Sequence, residues 1–246
     1  MKLTILTQSY HQRDLLEILI NSFEKYKIED VELSYIIVEG SSDESYSNEI
    51  KNLSPTVRWF NHEKADEKNP VDGASIANGK NIEFGKKFID TDWVFVCHND
   101  VAVTSKNFFE IFLKLSSQYH LISTCRDNIR MKACHISGLF VKNDILQKVD
   151  CMPALPELDV GDRLTEYCIK NNINFLSLPN THNDPSILKN VKGLWYELGE
   201  NCGVDRCVVN DEVIFVHLGR GTPKSLNAYT KSGKISYQGW LKIHKN

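Results

Sequence analysis

The stretch Trp93-Val94-Phe95-Val96-Cys97-His98-Asn99-Asp100 decides the reading of this 246-residue chain. Five apolar residues run without alternation into three polar ones. An uninterrupted apolar run of that length reads as a strand buried on both faces, the pattern of a parallel sheet covered by helices. Polar residues directly after such a strand stand at its carboxyl end, the edge at which open α/β sheets hold ligands. Two upstream runs end in the same way. Leu3 to Thr7 leads into Gln8-Ser9-Tyr10-His11, and Leu33 to Val38 leads into Glu39-Gly40-Ser41-Ser42-Asp43.

Between the first two runs, Gln12 to Tyr26 carries Leu15, Leu16, Leu19, Ile20 and Phe23 at helical spacing. Val57 to Phe60 is a weaker third strand, and Lys64 to Gly73, polar with Pro and Gly, reads as a mobile loop. A helix from about Ala74 to Phe88 then leads to Trp93. The order is β-α-β-β-α-β, an α/β architecture with a mostly parallel sheet. Downstream, the patterns predict helices over Phe108 to Ser117, Asp144 to Val149 and Leu164 to Asn171. They predict strands over Leu121 to Thr124, Ala133 to Val141, Asn174 to Leu178 and Val213 to His217. No repeat or linker divides the chain, so one domain is expected: a ligand-binding half (1–103), a second half (104–218) and a basic end (219–246).

The formal net charge of -3 gives no mark of a general nucleic-acid binder. It hides an asymmetry. All 32 acidic residues precede Gly219, whereas Arg220, Lys224, Lys231, Lys234, Lys242 and Lys245 follow it. Seven cysteines, scattered without C-x-x-C or paired zinc spacing, point to a reducing, cytoplasmic setting. The apolar N-terminal stretch is too short for a signal peptide, and the longest apolar runs fall far below the ~20 residues of a membrane span.

His98 and Asp100, two apart and straight after a buried strand, are placed to ligate a divalent cation. Mn²⁺ accepts both imidazole and carboxylate, whereas an all-oxygen site suits Mg²⁺ better. The alternative is that Asp100 caps the next element and His98 bonds locally.

Four segments in this order resemble the GT-A glycosyltransferases, in particular the family-2-like group. Gln8-Ser9-Tyr10-His11 is similar to its opening Pro-Thr-Tyr-Asn-like turn, and Glu39-Gly40-Ser41-Ser42-Asp43 to its acidic Asp-Asp-Gly-Ser-x-Asp-like segment. Gly79-Lys80-Asn81-Ile82-Glu83 loosely matches a helix motif Ala-Arg-Asn-x-Gly. His98-Asn99-Asp100 stands where the family has its metal-binding Asp-x-Asp. The likeness covers about residues 3 to 103. This chain has no proline in the opening turn, Lys80 in place of Arg, and His98 in place of the first acid.

The resemblance implies a GT-A (Rossmann-like) nucleotide-diphospho-sugar transferase fold with a mixed central sheet. It implies metal-dependent transfer of a sugar from a nucleotide diphosphate sugar, UDP-linked by preference, to a saccharide, lipid-linked or protein acceptor, with inversion. His98, Asp100 and the late His217 would hold Mn²⁺ or Mg²⁺. Ser9, Tyr10, Glu39, Lys80 and Asn99 would contact the nucleotide, and Arg220 and Lys224 its diphosphate. Asp159 or Asp162 would be the general base. Each has a plain alternative: Tyr10 a packed aromatic, Glu39 a solvated loop acid, Asp162 a helix cap, His217 a structural histidine. The basic end could close over phosphates or approach anionic lipid at the inner face of a membrane. The rival readings are a nucleotidyltransferase, for which Gln8–His11 lacks a glycine-rich basic loop, and a non-catalytic carbohydrate- or protein-binding module.

Overall fold

The computed structural model describes residues 1–41, 44–62, 72–127, 131–199, 202–219 and 235–245. The expected loop over Lys64 to Gly73 therefore falls largely outside the described residues.

Seven strands form the central sheet in the order β3-β2-β1-β4-β7-β6-β8. They are β1 (Lys2–Ser9), β2 (Glu32–Glu39), β3 (Val57–Asn61), β4 (Trp93–Cys97), β6 (Leu121–Ser123), β7 (Gly138–Lys142) and β8 (Phe175–Ser177). β1 pairs in parallel with β2 and β4, and β2 in parallel with β3. β7 runs antiparallel to both β4 and β6, and β8 is again parallel to β6. The sheet is thus mixed, with one reversed strand. From Leu3 onward every residue of β1 is buried, and all five of β4 are, as two-sided coverage by helices requires.

The helices are α1 (Arg13–Tyr26), α2 (Ser47–Lys51), α3 (Asp72–Lys86), α4 (Asn107–Leu115), α5 (Asn143–Lys148), α6 (Asp162–Lys170), α7 (Leu194–Glu197) and α8 (Tyr237–Lys245). One face of α1, with Leu16, Leu19, Ile20 and Phe23, enters the core against Phe95 and Phe108. In α3, Gly85 lets the helix lie close on the sheet: a Cβ there would meet Leu6 Cδ1 at 2.5 Å and Val38 Cγ2 at 3.1 Å.

A second, three-stranded sheet has the order β5-β10-β9, from β5 (Val101–Val103), β9 (Asp205–Val209) and β10 (Glu212–His217). It shares the main core, since Phe215 of β10 packs on Phe95 and Phe108 at ring-centroid distances of 5.6 and 5.8 Å. Only the three residues His98 to Asp100 separate β4 from β5, so this peptide crosses from one sheet to the other. One expectation changes. The run Ala133 to Val141 is a strand only from Gly138; before it, Cys134 makes an isolated bridge to Arg126, and Ile136 and Ser137 form a turn. Within the basic end, Trp240 of α8 is fully buried, and Lys245 pairs with Asp14 and Glu17 of α1.

Candidate cation and nucleotide site

Strand register builds the site. At the end of β10, His217 pairs with Val101, the first residue of β5, and the Leu218 amide donates to the Asp100 carbonyl at 2.9 Å. His217 is thereby fixed against the His98–Asp100 crossing. Its Nε2 lies 3.3 Å from Asp100 Oδ1 and 3.2 Å from His98 Nδ1. Among the described residues, His98, Asp100 and His217 form a group whose ligand atoms all lie within 4.8 Å of one another. Two imidazoles and one buried carboxylate make a donor set that fits a divalent first-row transition ion.

Two neighbours escaped sequence reading. The β4–β7 register sets Cys97 opposite Gly138, so the turn before Gly138 brings His135 beside His98, with ring centroids 5.7 Å apart. His135 lay hidden inside an apolar run read as one strand. On the other side, β9 places Asp205 directly opposite His217, and its Oδ2 lies 3.2 Å from His217 Nδ1. No motif marks Asp205; only the pairing register reveals it.

The charges are divided accordingly. Burial disfavours the His217 imidazolium, but Asp100 and Asp205 on either side outweigh it and raise its pKa to about 10. His98 is pushed down to about 4 by burial and then by His217, and His135 down to about 3 by burial, His98 and His217. Burial raises the Asp205 carboxyl, yet the hydrogen bond and charge of His217 bring it below its usual range. Of the three histidines, His217 is the one whose surroundings favour the charged, doubly protonated ring, while those of His98 and His135 favour the neutral one.

The ends of β1 and β2 meet alongside. The Gly40 amide donates to the Ser9 carbonyl at 2.8 Å, and a Cβ at Gly40 would come within 3.2 Å of Asn81 Nδ2 and 3.4 Å of that carbonyl. A larger residue at Gly40 would press on both the strand end and α3. Glu39 is fully buried and accepts from the His11 amide at 3.1 Å and from the Tyr46 hydroxyl. Tyr10 is half-buried and stands edge-on to the His11 ring. Ser9 and Asn99 are buried, whereas Lys80 is exposed on α3. Gln8 Oε1, Gln12 Oε1 and Asn81 Oδ1 are buried acceptors without a hydrogen-bond partner among the described residues.

Asp159 is half-buried; its Oδ1 accepts from the Val160 amide at 2.8 Å, and its charge acts on His98. Asp162 is buried at the start of α6, where its Oδ2 accepts from the Asp159 amide at 2.7 Å. The two acids expected as alternatives thus have different surroundings, one braced by the other. Arg220 and Lys224 lie outside the described residues, as do Ser42 and Asp43.

With this geometry in place, solved structures identify the fold as GT-A, that of the nucleotide-sugar glycosyltransferases. The chain is similar to the mannosyltransferase PcManGT from Pyrobaculum calidifontis, solved in complex with GDP-Man and Mn²⁺. Identity is 13%, the TM-score is 0.50, and the match covers 72% of this chain and 54% of that one. It is similar also to S. aureus TarS (13% identity, TM-score 0.52, 72% of this chain and 35% of that one) and to TarS 1–349 (14%, 0.51, 72% and 58%). At such identities the likeness is one of fold, and the match spans between 35% and 58% of the length of these chains. No family model and no curated protein matches the sequence.

Proposed function

We propose that this chain is a cation-dependent glycosyltransferase that uses a nucleotide diphosphate sugar, UDP-linked by preference. The observation that carries the reading is the meeting of His98, Asp100 and His217 at the strand edge that also holds Ser9, Tyr10 and Glu39. A GT-A fold shared with a mannosyltransferase solved with GDP-Man and Mn²⁺ supports it.

His98, Asp100 and His217 would hold Mn²⁺, or Mg²⁺ less well because two of the three donors are nitrogen. When bound, such an ion supplies Lewis-acid neutralisation of the leaving diphosphate. Gln8, Gln12 and Asn81 present acceptors to donors of the ribose or base, and Tyr10 offers a ring for stacking. Glu39, whose two oxygens accept from the His11 amide and Tyr46, would also accept from the base or ribose, with Ser9 beside it. Asn99 and Lys80 would contact the nucleotide, and Arg220 and Lys224 its phosphates. Asp159 is the proposed general base, taking the proton of the attacking acceptor hydroxyl while the sugar's bond to the diphosphate breaks, with inversion. Asp162 fixes the backbone that carries it. The acceptor would be a saccharide, lipid-linked or protein hydroxyl.

All seven cysteines are unpaired and buried, which supports a reducing, cytoplasmic setting. Among the described residues no helix is long and apolar enough to cross a membrane. A peripheral contact with anionic lipid would fall to the basic residues after Gly219 other than Lys245.

A thermal-shift panel of UDP-, GDP-, CMP- and dTDP-linked sugars, with and without Mn²⁺, tests the reading. One nucleotide sugar should raise the melting temperature, and more so with Mn²⁺. No shift with any of them, in either condition, would overturn it.

A further inference from the structure

We propose that Asp205 is a positioning residue of the cation centre: it holds the His217 imidazole so that Nε2 faces Asp100 and His98. The inference rests on the cation-binding part of the proposed function and not on sugar transfer.

The geometry is set by backbone pairing. Asp205 and His217 are direct cross-strand partners in the β9–β10 ladder, so their side chains share one face. The Asp205 Oδ2 to His217 Nδ1 distance is 3.2 Å, while His217 Nε2, on the far side of the ring, lies 3.3 Å from Asp100. A carboxylate accepting from Nδ1–H leaves the lone pair of the neutral ring on Nε2, where the other two donors are. Asp205 itself is outside the ligating group of His98, Asp100 and His217. Its other oxygen lies 3.8 Å from Nδ1 of the exposed His182. Carboxylate–histidine–metal arrangements of this form fix both tautomer and ring orientation, and their loss weakens metal binding.

The test is Mn²⁺ affinity, read by the EPR signal of free Mn²⁺ in nucleotide-free protein, for wild type, Asp205→Ala and Asp205→Asn, with the metal-free melting temperature recorded for each. The expected result is Mn²⁺ binding weakened about 10–100-fold in Asp205→Ala. Asp205→Asn, whose amide oxygen can still accept from Nδ1–H, should lie closer to wild type. A merely structural Asp205 would lower the melting temperature and leave the affinity of the folded fraction within twofold of wild type; that outcome overturns the inference alone. Wild type that binds no Mn²⁺ overturns the cation reading itself. Should Asp205→Ala fail to fold, ¹⁵N spectra of the Zn²⁺-loaded wild type decide: His217 ligating through Nε2 with its proton on Nδ1 supports the inference, and ligation through Nδ1 overturns it.

Discussion

His217 Nε2 stands 3.3 Å from Asp100 Oδ1, although the two residues lie at different strand ends far apart in the sequence. The β5–β10 pairing, extended by the hydrogen bond from the Leu218 amide to the Asp100 carbonyl, keeps them in step. The end of β4 in the large sheet and the β9–β10 hairpin of the small one are therefore joined at this point.

The proton on His217 gives the metal-free protein a characteristic pH profile. The pKa of His217 is raised to about 10 from an ordinary 6.5, so its stabilising contribution is full below pH 6.5 and fades as pH climbs toward 10. His98 and His135 are lowered to about 4 and 3, so their contributions are full above pH 6.5 and fade as pH falls through those values. Melting temperature against pH should lose its alkaline slope in His217→Gln and part of its acid slope in His135→Asn. Because a bound ion must displace the His217 proton, Mn²⁺ affinity should rise about tenfold per pH unit between pH 7 and 9.

Asp159 and Asp162 separate cleanly by experiment. Asp162→Ala removes the acceptor of the Asp159 amide at the start of α6. It should cost about 1–3 kcal/mol of stability, visible in denaturant melts. Asp159→Ala, which loses the acceptor of the Val160 amide, should cost a comparable amount of stability but, unlike Asp162→Ala, lower kcat at least a hundredfold with donor binding retained.

Gly138 opens β7 where the backbone lies tightly against Thr124 and Phe215. A methyl there would meet Thr124 Oγ1 at 2.4 Å and Phe215 Cε1 at 2.9 Å. Gly138→Ala should therefore destabilise the protein by about 1–3 kcal/mol through overpacking. Since Gly138 also faces Cys97, just before His98, the same variant should weaken Mn²⁺ binding; equal affinity would show that the crossing tolerates the shift.

The last helix is anchored by its tryptophan more than by its charges. Trp240 is fully buried, near Trp195 and His244, and truncation to alanine should cost about 3–5 kcal/mol. Lys245 pairs with Asp14 and Glu17 but is about two-fifths exposed. Lys245→Ala should cost less than about 1 kcal/mol in a urea melt.

The legible part of this protein was the part carried by long apolar runs. β1, β2 and β4 announce themselves by unbroken hydrophobicity, and the polar residues that follow them mark the strand edge. His98, Asp100 and His217 were readable because each directly follows or ends such a run. β5 and β9 were not. Val101–Val103 has only three residues, and Asp205–Val209 opens with an acid and an arginine. Arg206 is nonetheless fully buried, its guanidinium donating to the Trp195 and Gly199 carbonyls. A strand whose charged residues are paid for by distant partners carries no local pattern. Asp205 and His135 enter the site by register across strands, a relation that no spacing along the chain encodes.

The most direct test of the central claim is release of the nucleotide diphosphate from a donor sugar, in wild type and Asp100→Ala, with Mn²⁺ and with a chelator. Turnover in the wild type with Mn²⁺, abolished by the chelator and lowered at least a hundredfold in Asp100→Ala, is the predicted result. Turnover that survives both the chelator and the substitution, or none with any donor that binds, would contradict the account.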